Sequence, residues 1–152
     1  MDPFSPVGLV ASICTLVKAS NEAISLLWSF KEAPDETGRL IKQVSFFKEN
    51  LRSMERIFRT KNCRTQYRIS AETINNAIAE SSATLTDLQG RLEQITKSDN
   101  SAVRRIKWVQ HRSGLLKIED RIRDQCGMLH NFVSLAQAYV DGNRGPSQQI
   151  RY

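Results

Sequence analysis

The chain is organised around residues 3–30, which read PFSPVGLVASICTLVKASNEAISLLWSF. Lys18 and Glu22 are the two charged residues in this stretch. A helix of this composition carries more apolar surface than the single stripe of an ordinary surface helix. We therefore expect a first helix that begins near Pro3 to Ser5 and ends before Pro34. Either three other helices surround it, or it leaves the bundle at times for a membrane.

Three further helical patterns follow, and each has a line of apolar residues separated alternately by three and four positions. This spacing is typical of helices packed lengthwise on one another. The predicted helices run from Asp35 to about Arg59, from Ser70 to before Ser98, and from about Ala102 to Val140. The sequence thus predicts an all-α fold, an antiparallel four-helix bundle with a long hydrophobic N-terminal helix and a long C-terminal helix. The bundle covers residues 1–140, and residues 141–152 form a polar tail or a linker to a downstream domain.

The predicted helices also contain local features that the fold should explain. Gly90 predicts a close approach of another helix, Ser113–Gly114 a kink or break, and Gly142 a C-cap. Trp108 lies among basic residues, and packing under their stems is favoured over a place at a membrane interface. A second flank of the last helix is expected to be buried; it comprises Leu116, Met128, Phe132, Leu135 and Tyr139.

The net charge of the 152 residues is +6. Such a charge fits an anionic membrane surface, a nucleic acid or an acidic protein. One basic cluster stands out, and as an alternative to an ordinary solvated face it is a candidate for contact with anionic lipid. Its members are Arg52, Arg56, Arg59, Lys61, Arg64 and Arg68. A nucleic-acid contact is the weaker expectation, because no recognisable reading element accompanies these residues.

The sequence holds no recognisable catalytic, metal or cofactor motif, so we expect no enzyme activity, no metal and no cofactor. Cys126 and His130 are four residues apart, but two ligands do not make a zinc site, and Cys126 falls on the predicted core seam. The three cysteines are widely spaced and form no Cys-x-x-Cys pair. A reducing cytosol is therefore the expected location.

Two segments resemble a known family. Met1-Asp2-Pro3-Phe4-Ser5 precedes the small and apolar run from Val7 to Ile13, and Arg105-Ile106-Lys107-Trp108 opens a long amphipathic helix. In order and spacing the chain resembles the fungal HeLo-like N-terminal domain, the N-terminal domain of fungal STAND proteins, over about residues 1–140.

The resemblance implies an effector or signalling domain of an immune-type or programmed-cell-death receptor. Such a domain would self-associate, lie upstream of a nucleotide-binding domain, and move from the cytoplasm to the plasma membrane on activation. The positions that would contact a membrane or a partner are Phe4, Val7, Leu9, Val10, Ile13 and Leu16.

The uncharged run from Pro3 to Val17 is 15 residues long and would span about 22 Å as a helix. That length is short of a bilayer core of roughly 30 Å, so a permanent transmembrane span is not expected. A soluble module for homo-oligomerisation or protein interaction, without membrane activity, remains the alternative from a different functional class.

Overall fold

The computed structural model describes residues 6–59 and 71–143; the side chains of residues 6–7, 71–72 and 139–143 are outside the description. Within these ranges the chain forms four helices and no strand. They are α1 (Pro6–Ser29), α2 (Pro34–Arg59), α3 (Ala71–Thr96) and α4 (Ser101–Asn143). The predicted all-α four-helix bundle is therefore confirmed.

The helices begin where local chemistry favours them. Pro34 occupies the first turn of α2, where its missing N–H is not needed, and the hydroxyl of Thr37 donates a hydrogen bond to the Ala33 carbonyl at 2.9 Å. At the start of α4 the side-chain oxygen of Asn100 accepts a hydrogen bond from the Ala102 N–H at 2.9 Å. Asn100 is thus the N-cap of α4. Ser70, where the third helix is predicted to begin, lies outside the described residues.

Consecutive helices run antiparallel, as expected. Lys48 of α2 donates to Asn21 of α1 at 3.1 Å, and the Cys14 thiol lies 3.5 Å from the Glu55 carboxylate. Residue numbers therefore rise along one helix while they fall along the other.

The order of helices around the bundle is α1, α2, α4, α3, because α1 packs on α2 and α3, and α4 packs on the same two helices. The neighbours α2 and α4 run parallel, since Glu36 meets Trp108 while Phe58 meets Phe132. Helices α2 and α3 are consecutive in the chain yet occupy diagonal positions. Helices that follow one another in the chain are therefore antiparallel, whereas helices that lie side by side, such as α2 and α4, can be parallel.

The core is built by the predicted seams. The apolar seam of α2 is fully buried, as are the described seam residues of α3 from Ile74 to Ile95. The six residues of the α2 seam are Leu40, Val44, Phe47, Leu51, Met54 and Phe58. In α1 the buried positions alternate spacings of four and three residues, which is the heptad pattern of lengthwise packing. These positions are Leu9, Ile13, Leu16, Ser20, Ala23 and Leu27. Ser20 is accommodated in this apolar line because its hydroxyl donates to the Leu16 carbonyl at 2.8 Å.

Several local predictions are corrected by the structure. Gly90 marks no close approach, because a Cβ atom built there has no neighbour within 4 Å. Helix α4 continues unbroken through Ser113–Gly114, and Gly142 lies inside the helix rather than at its cap, because α4 extends to Asn143. Gly114 instead makes room for the Arg91 guanidinium, which would collide with a Cβ atom at that position.

The predicted second buried flank of α4 is also wrong in large part. Leu116, Met128 and Leu135 are exposed, whereas Phe132 is half-buried, and the Tyr139 side chain is outside the description. The reason is geometric: α4 packs on α2 and α3 through one seam, so the side chains on its opposite face stay in contact with solvent.

Candidate functional site

Helix α1 is the candidate functional element, and its inward face lies in the core. Leu9 and Ile13 have no exposed surface, and Leu16 is 3% exposed. Val10 is half-buried beside them. Phe4 and the side chain of Val7 lie outside the described residues. The described membrane-contact candidates therefore face α2 and α3 in this bundle, and a membrane can reach Leu9, Ile13 and Leu16 only if α1 separates from its neighbours.

The outward face of α1 is open to solvent and carries little charge. The expectation that three helices surround α1 is too strong, because α1 packs lengthwise on two, α2 and α3. Its exposed residues are mostly small and uncharged; they are Ala11, Cys14, Thr15, Lys18, Asn21, Glu22, Ser25, Trp28 and Ser29. Soluble bundle helices ordinarily present charged residues on this face. Among the described residues, α1 exposes two charged side chains, Lys18 and Glu22, and α3 likewise exposes two, Glu80 and Glu93.

The length of α1 also bears on a membrane role. Residues 8–29 form a continuous and largely apolar helix of 22 residues. At 1.5 Å per residue this helix is about 33 Å long, which is enough to cross a hydrocarbon core. The core helix of a soluble protein can have the same length and apolar composition. The sequence-based estimate was shorter because it stopped at Lys18.

The far end of α1 is held by a cluster of aromatic and charged residues. The ring of Phe30, just after the helix, stacks on Trp108 of α4 with the centroids 4.6 Å apart. The Arg104 guanidinium lies over the Phe30 ring at 5.2 Å and donates to the Ser29 carbonyl at 3.3 Å. Arg104 therefore covers the last turn of α1 while Trp108 packs beside it.

Trp108 is buried, as the packing interpretation predicted, and its indole N–H donates to the Glu36 carboxylate at 2.7 Å. Arg112 forms an ion pair with the same carboxylate at 2.8 Å. Burial raises the pKa of Glu36, but the hydrogen bonds from Trp108 and Arg112 outweigh burial and leave that pKa below its ordinary value. Glu36 is thus held as a carboxylate that joins the start of α2 to α4.

The basic cluster lies near the leading half of α1. Arg52, Arg56 and Arg59 are exposed on the last turns of α2. Arg59 pairs with Glu55 at 2.8 Å, and Glu55 in turn contacts Cys14 of α1. The structure therefore brings these arginines to the end of the bundle where α1 begins. The other three members, Lys61, Arg64 and Arg68, lie outside the described residues.

The Cys126–His130 pair has the geometry of ordinary packing. Cys126 is buried with its sulfur 3.8 Å from the Gln43 carbonyl oxygen, and burial raises the pKa of its thiol to about 11. A thiol with that pKa is almost entirely protonated at neutral pH and is a poor nucleophile. His130 is exposed and lies against the Phe46 ring. Among the described residues no group of three or more His, Cys, Asp or Glu side chains could hold a metal ion.

Two exposed apolar features were missed in the sequence. Ile106, Val109 and Leu116 form a stripe along the outward face of α4, and Trp28 borders a groove where α1 meets α2. The stripe has spacings of three and seven residues, so it was hidden within the stronger pattern of the α4 core seam. The groove depends on the packing of two helices and has no local sequence signal.

Comparison with protein-family models, curated proteins and solved structures gave no significant match.

Proposed function

We propose that this chain is a HeLo-like effector or signalling domain of a fungal STAND-type immune or cell-death protein. It acts by self-association and by delivering α1 to an anionic membrane. The observation that carries the proposal is the outward face of α1, which bears Lys18 and Glu22 as its charged residues and otherwise small or apolar side chains. A helix with little charge on either face can exchange protein neighbours for lipid without burying many charges.

Separating α1 from the bundle costs free energy, and activation must offset that cost. The helix buries Leu9, Ile13, Leu16 and Leu27 almost completely. At about 1.5–3 kcal/mol for each large apolar side chain, exposing these four to water costs roughly 6–12 kcal/mol. That value is comparable to the whole stability of a typical domain, so α1 stays docked in water. Burial of the same side chains in lipid, or in contacts between several copies, offsets the cost.

The arginines at the end of α2 give the proposed membrane approach a direction. Arg52, Arg56 and Arg59 are exposed beside the leading half of α1. Each basic residue close to an anionic cytoplasmic leaflet contributes about 1 kcal/mol of attraction. Binding through these residues would place the first turns of α1 next to the headgroups. The proposed cellular course is therefore from cytoplasm to plasma membrane, with a nucleotide-binding domain of the same protein as the proposed controlling partner.

The alternative is a soluble oligomerisation or protein-interaction module, and the stripe on α4 favours it. Ile106, Val109 and Leu116 are each 45% exposed or more. Exposed apolar residues arranged along one helix face are typical of a surface that meets another helix. This second function needs no separation of α1 from the bundle, so the two proposals differ in what happens to α1.

Leakage from anionic vesicles distinguishes the two functions. The domain is clustered on vesicles by a C-terminal histidine tag and nickel-chelating lipid, and dye release is measured. Ala11→Asp places a charge on the outward face of α1 without touching the buried seam, and a charge within the bilayer costs about 2.5–3.5 kcal/mol. We expect dye release by the unmodified domain and at least about a tenfold reduction for Ala11→Asp.

The matched control is Ala79→Asp, the same change at an exposed position on α3. It should leave dye release unchanged, and circular dichroism should show both variants folded. The membrane proposal is wrong if the clustered domain releases no dye, or if both variants lose release to the same extent.

A further inference from the structure

A groove of about 440 Å³ opens at the corner where α1 gives way to α2. Its size falls within the range of about 300–1,000 Å³ that is usual for small-molecule sites. Its surface is predominantly apolar, and the polar exceptions include two lysines. The lining includes Leu27, Trp28, Phe30, Gly38 and Ile41 in addition to these lysines.

The base of the groove is fixed by the core. Phe30 is 2% exposed and is held from below by its stacking on Trp108. Leu27 is fully buried in the α1 seam. Trp28, by contrast, is 67% exposed and forms one wall. The groove thus has a rigid apolar floor and a large exposed aromatic side, which is the arrangement of a preformed small-molecule site.

Gly38 keeps the α2 side of the groove open. A Cβ atom at this position has no neighbour within 4 Å, so no close contact requires glycine there. A glycine inside a helix costs about 1 kcal/mol relative to alanine. Gly38 shares one face of α2 with Ile41 and Lys42, three and four residues later. The missing side chain leaves space directly beside an apolar residue and an ammonium group.

The charges around the groove favour an anion. Lys31 and Lys42 line it, and none of the acidic residues that the structure describes does. The nearby Glu32 carboxylate is engaged elsewhere, because it accepts a hydrogen bond from the Lys31 backbone N–H at 2.9 Å and pairs with Arg104 at 3.7 Å. The two lysines on its rim also disfavour another cationic surface as the occupant.

We propose that this groove binds a monomeric anionic amphiphile, a single alkyl or acyl chain with a carboxylate head. The chain lies along Trp28 and Ile41, and the head meets the ammonium groups of Lys31 and Lys42. Because both α1 and α2 build the groove, the ligand stabilises their contact. This site does not require α1 to enter a membrane, so it stands or falls independently of the proposed function.

Isothermal titration calorimetry with decanoate, kept below its micellar concentration, tests the site. We expect saturable binding of one molecule per chain. Gly38→Leu fills the groove, and it should weaken decanoate binding at least about tenfold while the free protein becomes no less stable. The matched control is Gly90→Leu, because Gly90 is also helical with open space around it but lies on α3. It should bind decanoate as the unmodified domain does.

A cationic amphiphile tests whether binding requires a negatively charged head group. Decyltrimethylammonium has the same chain length and the opposite charge, and we expect no saturable heat from it. Replacing both lysines, Lys31→Gln with Lys42→Gln, should weaken decanoate binding about two- to fivefold, as expected for solvent-accessible ion pairs.

Three outcomes overturn the proposal. They are equal decanoate affinity in Gly38→Leu and the unmodified domain, equal binding of the cationic amphiphile, and binding to anionic vesicles with none to monomeric decanoate. The decanoate titration contains no bilayer. Failure of decanoate to bind would therefore leave the leakage experiment unaffected.

Discussion

The ring of Phe30 lies against the ring of Trp108, with centroids 4.6 Å apart and planes inclined by 24°. This contact joins the end of α1 to the beginning of α4, which otherwise stand diagonally across the bundle. Offset stacking of this kind adds about 0.5–1.5 kcal/mol to the burial of the two rings. The end of α1 is therefore fixed by a specific aromatic contact, in addition to the seam that it shares with α2 and α3.

Replacing Phe30 should destabilise the bundle strongly. Phe30→Ala removes a side chain that is 2% exposed, and we expect a loss of about 3–5 kcal/mol in the free energy of unfolding, measured by urea denaturation. Trp28→Ala is the matched control, because Trp28 is a larger aromatic residue two positions away that is 67% exposed. Its replacement should cost much less. Similar losses for the two variants would contradict the assignment of Phe30 to the core.

Stability should depend on the ionisation of Glu36. Its pKa lies below the ordinary value of 4.5 in the folded protein, so the folded state binds this proton less readily than the unfolded state. The resulting stabilisation is present above pH 4.5 and is lost as the pH falls through the lower folded pKa. Glu36→Gln removes the ion pair with Arg112, so it should be less stable than the unmodified domain at pH 7.

The difference between the two proteins should shrink on acidification, and urea denaturation at pH 7 and at pH 3 measures it. Glu93→Gln, at an exposed position on α3, is the control and should show little difference at either pH. A gap between Glu36→Gln and the unmodified domain that stays constant or widens as the pH falls would contradict the ion-pair account.

Replacing either of two glycines of α4 with alanine should change the stability of the protein by different amounts. Gly127 has open space around its Cβ position, so Gly127→Ala should stabilise the protein by up to about 1 kcal/mol through helix propensity. Gly114→Ala should gain less or lose stability, because the new methyl group meets the Arg91 guanidinium. Arg91 also pairs with Asp87 at 3.1 Å and contacts His111 at 3.4 Å, so its displacement disturbs both contacts. Thermal unfolding of the two variants measures the difference, and equal gains would show that Arg91 moves aside freely.

The sequence predicted the helices and core seams because each seam is a local pattern. Leu40, Val44, Phe47, Leu51, Met54 and Phe58 are spaced so that one helix face is apolar, and all six are buried. The order of helices around the bundle had no comparable signal, because any of several arrangements buries the same seams. The Gly90 prediction was wrong for the same reason. Neighbouring helices decide what surrounds a glycine, whereas the presence of glycine in the sequence indicates only a lower helix propensity at that position.

The membrane-contact residues named from the sequence remain a prediction. The sequence pointed to α1, but it chose the most apolar residues, and Leu9, Ile13 and Leu16 are apolar because they form the core. The proposal depends instead on the small uncharged residues of the outward face of α1, such as Ala11, Cys14 and Ser25. Which residues form that face is visible only when the helix is seen in place. The resemblance to the HeLo-like domain remains a prediction.

The most direct test of the account is the environment of Cys14 when the domain is clustered on anionic vesicles. Cys14 is exposed on the outward face of α1, and Cys126 is buried, so after Cys63→Ser an environment-sensitive fluorophore attaches selectively to Cys14. A control protein carries Cys63→Ser, Cys14→Ser and Ala79→Cys to place the same fluorophore on α3. We predict a blue-shifted emission at residue 14 that coincides with dye release, and an unchanged emission at residue 79. Dye release with the fluorophore at residue 14 still reporting water would contradict the insertion of α1.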